Sequence, residues 1–262
     1  MYNKNMKTTH IKIPHKCGST IINTIFKHGA DLCSNTFKDL DSVSKSHYHE
    51  SSEHEMIFTR HITDIDQLYK WDSVNKNKHL FVVRHPLTRL ISKYYSFGWT
   101  HTENPRWIQD KKERKKISAE IINSKKNIQQ ISLDDYIING LGSRVDRFMS
   151  KCIQKPITTC TCILPYEMLV TDPDRFITTS LDFLSMADVA ENVIDNFRDQ
   201  LTPIEDRTDK IINNECKSHR RTSDIHEWKT KLDIHYINNK TKNIHVKMFD
   251  QYADFLSSYN IK

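Results

Sequence analysis

The first regular signal in the chain is a short isoleucine-rich run, His10 to Ile13, closed by Pro14, which predicts a strand. A loop from His15 to Gly18 follows. Ser19 and Thr20 then open a helix whose apolar positions Ile21, Ile22, Ile25 and Phe26 recur at helical spacing. Gly29 is expected to end that helix as a C-cap. Met56 to Thr59 reads as a second strand. His79 to Arg84, HLFVVR, is a near-continuous apolar run of the kind that buried parallel strands show. Pro86 suits the first turn of a helix that carries Leu87, Leu90, Ile91, Tyr94 and Tyr95 on one side. Cys162 to Tyr166 predicts another strand, and Pro173 begins a helix that runs through Phe183. Strand and helix alternate, so the expected fold is α/β: a central parallel sheet flanked by helices on both faces, with right-handed connections. A ligand is expected at the carboxyl ends of its strands.

The 262 residues fit one large α/β domain or two small ones, and a single domain over 1–262 is the expectation. The stretch Asp110 to Asn127, with KKERKK at its centre, reads as a lysine-rich helical insertion or lid, or a docking strip for an acidic acceptor. At 37% hydrophobic and 27% charged residues, with only 5 Gly and 7 Pro, the composition is that of a soluble globular protein rather than a low-complexity or collagen-like one. The formal charge of +6 suits an anionic ligand. No run approaches the ~18 apolar residues of a membrane span, and MYNKNMKTTHIKI has no apolar segment for a secretory signal. A cytoplasmic protein with no membrane or nucleic-acid partner is therefore expected. The cysteines at 17, 33, 152, 160, 162 and 216 lack CxxC pairing, which argues for free thiols and no metal. Nothing in the sequence sets the oligomeric state.

Two segments carry candidate chemistry. In IKIPHKCGSTIINTIF a strand feeds a loop and then a helix start, whose unpaired N–H groups and dipole favour an anion. Gly18 lets the backbone approach closely, Ser19 and Thr20 add hydroxyls, and Lys16 adds positive charge. The phosphate-loop pattern of triphosphatases, GxxxxGK followed by Ser or Thr, is absent. In RHPLTRLISKYYSF, Arg84 ends a buried strand and Ser92 lies two helical turns on, offering a planar fork and a hydroxyl to phosphate.

These segments resemble those of the PAPS-dependent sulfotransferases, where PAPS is 3′-phosphoadenosine 5′-phosphosulfate and PAP the product nucleotide. KCGST looks like the KSGTT core of that family's 5′-phosphosulfate loop, and RHPLTRLISKYYSF looks like its 3′-phosphate segment. YEMLVTDPDRFI is similar to the family's YEDMKEDPKREI at Tyr166, Glu167, Asp172, Pro173, Arg175 and Ile177. RTSDIHEWK resembles the late RKGxxGDWK motif at Arg221, Trp228 and Lys229. The resemblance implies a P-loop-like sulfotransferase fold with PAPS as donor and no metal. It implies that Lys16 contacts the 5′-phosphate and the bridging oxygen, and that the backbone of Cys17, Gly18, Ser19 and Thr20 cradles the phosphosulfate. Arg84 and Ser92, helped by Arg221, would hold the 3′-phosphate, and Tyr166 would touch the adenine. The chain departs from the pattern by an extra loop residue between Pro14 and Lys16, and by Ile21 in place of the tryptophan that stacks on adenine. Thr222, Ser223 and His226 replace Lys and both glycines of the late loop, which leaves Ser223 as its candidate nucleotide contact.

Sulfuryl transfer is an in-line displacement in which protein groups position the reactants, offset charge and remove the acceptor proton. TRHITDIDQL is similar to the THLPL segment that carries the base in cytosolic sulfotransferases, and its RH element to a stretch of uronyl-type carbohydrate sulfotransferases. His61 is the expected general base, with Lys16 as its catalytic partner; His85 is read as structural. The expected acceptor is a hydroxyl or amine of a small molecule, with a glycan chain as the alternative. A kinase with a similar loop, or a nucleotide-binding protein without turnover, are the competing classes.

Overall fold

The structure, a computed structural model, describes residues 8–14, 16–40, 55–60, 77–105, 108–154, 160–216 and 222–261. Its elements run β1 (Thr8–Ile13), α1 (Ser19–Leu32), β2 (Thr36–Leu40), β3 (Glu55–Arg60), β4 (Lys78–Val83) and α2 (Pro86–Tyr95). After a π-helical turn, Ser96–Thr100, come α3 (Lys111–Gln130), α4 (Leu133–Gly140), α5 (Arg144–Ile153), β5 (Thr161–Pro165), α6 (Tyr166–Thr171) and α7 (Pro173–Phe183). The chain ends with α8 (Ala190–Leu201), α9 (Thr208–Ile212), α10 (Trp228–Lys231), α11 (Ile234–Lys240) and α12 (Val246–Ser258). Two compact units emerge: one of Met1–His85, Gly142–Thr202 and Lys247–Lys262, the other of Pro86–Leu141 and Pro203–Val246.

The first unit holds a five-stranded, all-parallel sheet in the order β2-β3-β1-β4-β5. This is the α/β fold class the alternating pattern predicts. In β1 the register sets His10 beside His79 and Lys12 beside Phe81, so these four share one face of the sheet. Ile11, beside Leu80, points to the other face and is fully buried. Phe81 meets Phe148 of α5 with ring centres 6.0 Å apart. His10 stacks on His79 at 5.1 Å, and Lys12 Nζ lies 3.3 Å from His79 Nδ1. Burial, with the nearby Lys12 and His79 charges, lowers the His10 pKa to about 2, so that ring is a neutral member of the core.

Three local expectations are corrected. Helix α1 does not stop at Gly29 but runs to Leu32. Gly29 is buried mid-helix, where a Cβ would stand 3.3 Å from Leu181 Cδ2 and 3.8 Å from Val193 Cγ2; the residue is small so that α1 can close on α7 and α8. Strand β5 ends at Pro165, and Tyr166 opens α6 rather than closing the strand. The sequence reading contained no strand at Thr36–Leu40. This is an edge strand whose Thr36, Lys38 and Asp39 are exposed, so it shows no apolar run.

In the second unit, Tyr94 of α2 packs against Tyr136 of α4 and Trp99, each at 5.2 Å, and its hydroxyl donates to Ile131 O at 3.0 Å. Lys231 Nζ donates to Asp206 Oδ2 at 2.7 Å and Thr208 Oγ1 at 2.9 Å. The lysine-rich α3 buries none of its residues. Gln129 Nε2 on its last turn donates to Gly98 O at 2.7 Å, holding it to the π-helical turn. Among the described residues no helix is long and apolar enough to cross a membrane.

Asp172 accepts from Arg175 N at 3.2 Å, directly before Pro173 at the first position of α7. The Asp-Pro pair of the YEMLVTDPDRFI segment is thus a helix start. Asp172→Ala should lower stability by about 1 kcal/mol in urea denaturation, without altering nucleotide binding.

Candidate anion-binding site

The loop after β1 and the residues after β4 leave neighbouring strands at their carboxyl ends. From β1 the chain passes to β2 and β3 on one side, and from β4 to β5 on the other. The ends of β1 and β4 therefore flank the topological switch point, where open α/β sheets bind ligands.

Loop geometry follows from two left-handed residues. Lys16 has φ 66° and Gly18 φ 78°, with Cys17 N donating to Pro14 O at 3.2 Å between them. Gly18 is the N-cap of α1 and has no side chain to take its first-turn N–H groups, which point beyond the helix end. Its φ excludes most side chains, and space excludes the rest: a Cβ here would lie 2.4 Å from Tyr166 Cε2. Cys17 is fully buried and directs Sγ towards Met149 Sδ at 3.9 Å, so only its backbone faces the loop. Ser19 is half-buried and Thr20 exposed.

Arg84 joins the two segments. Its Nη1 donates to Lys16 O at 3.0 Å, and its guanidinium carbon lies 4.6 Å from the centre of the Tyr166 ring. The side chain is 8% exposed, and its Nε is buried with no hydrogen-bond partner among the described residues. A buried guanidinium N–H without an acceptor is what an anion seated against this fork would satisfy. The loop's Lys16, the glycine cap, the helix start and Arg84 therefore fit a phosphorylated ligand.

Glu167 supports this arrangement from beneath. Its Oε1 accepts from His85 N at 2.8 Å, and its Oε2 from the Tyr252 hydroxyl at 3.1 Å. Burial pushes the carboxyl's pKa up, against the opposing pull of these hydrogen bonds and the Arg84 charge. His85 lies edge-on to Tyr252 at 5.3 Å and near Phe249 at 6.0 Å, the environment of a structural histidine. The sequence reading matched Glu167 within its motif but gave it no role, and it did not single out Tyr252. The adjacent YE pair at a strand end was the one available signal for the first; nothing in the C-terminal helix marked the second.

The first unit thus brings together Lys16, Cys17, Gly18, Ser19, Thr20, Arg84 and Tyr166. Ser92 and Ser223 belong to the second unit. Ser92 is half-buried on α2. Ser223 Oγ accepts from Ile204 N at 2.9 Å, a bond that ties the late loop to the segment after α8. His61, Arg221 and His15 lie outside the described residues.

The geometry defines a parallel α/β protein with a glycine-capped loop at its switch point. More particularly, the chain is similar over 94% of its length, and over 85% of the other, to the mouse sulfotransferase SULT7A1 complexed with PAP, with TM-score 0.55 and 13% identity. Two looser alignments are to retinol dehydratase in a complex with retinol and PAP (TM-score 0.49, 9% identity, 95% and 81% of the two chains) and to the sulfotransferase domain of the Synechococcus PCC 7002 olefin synthase (0.41, 13%, 97% and 97%). No protein-family model and no curated protein matches the sequence. The chain has the fold of the sulfotransferases.

Gly18→Ala should be disruptive on two counts, the left-handed φ and the contact with Tyr166. A loss of about 1–3 kcal/mol in chemical denaturation is expected. Gly29→Ala, with a φ any residue adopts, should cost less; equal losses would remove the argument from loop geometry.

Proposed function

We propose that this protein is a PAPS-dependent sulfotransferase that moves a sulfuryl group to an acceptor hydroxyl or amine. The observation that carries the reading is the buried Nε of Arg84, without a partner among the described residues, beside the glycine-capped loop at the strand ends. In this reading the loop from Lys16 to Thr20 holds the 5′-phosphosulfate and Arg84 the 3′-phosphate, with Ser92, Arg221 and Ser223 completing the nucleotide contacts. Tyr166, stacked on Arg84, limits how far the guanidinium can swing. The acceptor oxygen or nitrogen forms a bond to sulfur as the bond from sulfur to the phosphate oxygen breaks. His61 takes the acceptor proton, and PAP leaves with Lys16 offsetting its charge. No metal enters the step. A small-molecule acceptor and a glycan chain are both compatible with this site, and the charged face of α3 suits the glycan.

The test is calorimetric titration with PAP in the presence of a chelator. The wild type should bind at micromolar level, and Arg84→Ala at least tenfold more weakly, as expected for a charge-assisted contact. Thermal melting of the variant checks that the Lys16 loop remains folded. His61→Ala should keep PAP affinity while losing on the order of 10²–10⁴ in transfer rate from PAPS. A folded wild type that does not bind PAP would eliminate the sulfotransferase reading; transfer that survives in His61→Ala would eliminate only the base.

A further inference from the structure

Helix α3 carries six lysines and one arginine against two glutamates. Its basic residues divide by face. Arg114 and Lys125 are used internally: Arg114 Nε donates to Ile108 O at 2.7 Å, and Lys125 Nζ pairs with Glu103 Oε1 at 2.7 Å. The other five, Lys111, Lys112, Lys115, Lys116 and Lys126, are exposed and have no hydrogen bond or ion pair with any described residue. At 100° per residue these five fall within an arc of about 140°, along roughly 22 Å of helix. Glu113 and Glu120 project outside that arc.

Local energetics oppose this arrangement. Lys111 with Lys115, and Lys112 with Lys116, are like-charge pairs at i,i+4, where an acid would stabilise the helix. Lys111 and Lys112 also sit in the first turn, at the positive end of the helix dipole. Glu113 and Glu120, at i,i+3 and i,i+4, relieve Lys116 in part, but Lys111, Lys112, Lys115 and Lys126 have no acid at those spacings within the helix. An extended polyanion along the face would relieve both conflicts at once.

We propose that this face binds an acidic polysaccharide, a carboxylated or sulfated glycan whose hydroxyls supply the acceptor; the identity of the ligand as acceptor rests on the sulfotransferase reading. The chemistry on the face selects among polyanions. Its cations are lysine ammoniums rather than planar guanidiniums, and Ala119 and Asn123 lie among them with no aromatic ring for a base to stack on. Of the helix's isoleucines only Ile122 falls within that arc, half-buried, and Ile128 turns to Gly98, so the face offers a lipid bilayer no continuous apolar edge.

The experiment is fluorescence anisotropy with labelled heparin-derived dodecasaccharide, against single-stranded DNA of matched charge and phosphatidylserine vesicles. Wild type should bind the oligosaccharide, and a Lys112→Ala, Lys115→Ala, Lys116→Ala, Lys126→Ala variant at least tenfold more weakly. Arginine at the same four positions should restore binding. Since removing like-charge pairs does not weaken the helix, the alanine variant should melt no lower than wild type and keep its PAP affinity. Undiminished oligosaccharide binding by the folded alanine variant overturns the proposal. Equal or tighter binding of DNA or vesicles overturns its assignment to a polysaccharide. Failure of PAP binding with retained oligosaccharide binding removes the acceptor role and leaves the surface standing.

Discussion

The guanidinium of Arg84 is the group on which the candidate site depends, because it bonds to the loop after β1 and lies against the first residue of α6. Its strand, β4, delivers it to the sheet's carboxyl edge; Lys16 O fixes one of its nitrogens, and the Tyr166 ring covers its plane. Each of these contacts constrains the others. Tyr166 can lie where it does because Gly18 has no Cβ, and Gly18 can turn left-handed there for the same reason. What remains after these constraints is the buried Arg84 Nε–H, without an acceptor among the described residues, beside a helix start without a capping side chain. Leaving such a donor unsatisfied costs about 1–3 kcal/mol, which an anion in the crevice would recover.

Glu167 makes this rigidity possible. A buried carboxyl whose pKa is pushed up by burial is an unusual choice beneath an arginine. Here it accepts from the backbone of the residue that follows Arg84 and from Tyr252, so it pins the turn between β4 and α2 rather than neutralising the guanidinium by direct hydrogen bonding. Were Arg84 paired with it, the fork would be spent internally. Its Nη1 is instead directed to the loop carbonyl of Lys16.

Much of this was legible from residue order because the signals were local. The run HLFVVR reads as a buried strand, and a glycine preceding Ser-Thr and an apolar helix reads as a loop whose helix start favours an anion. The sequence could not show that Tyr166 closes on Gly18, since that contact joins positions 148 apart in the chain, nor that Tyr252 completes the Glu167 pair. Gly29 misled for a physical reason. A glycine near the expected end of a helix looks the same whether it turns the backbone or admits a neighbouring helix, and only Leu181, Met186 and Val193 distinguish the cases. The edge strand at Thr36–Leu40 was invisible because an exposed strand needs no apolar alternation.

The lysine face of α3 stands in contrast to the site. Around Arg84 the loop carbonyl, the Tyr166 ring and Glu167 account for the residues present. Along α3 the energetics argue against them: two like-charge i,i+4 pairs each cost about 0.2–0.5 kcal/mol, and lysines in the first turn oppose the dipole by a similar amount. The Asp110 cap, and Glu113 and Glu120 beside Lys116, offset part of this. A helix stabilised at its end and destabilised along its solvent face is not optimised for standing alone in water. The residues that lower its stability are the ones a ligand of opposite charge would contact, and that coincidence is what separates this face from an ordinary solvated one.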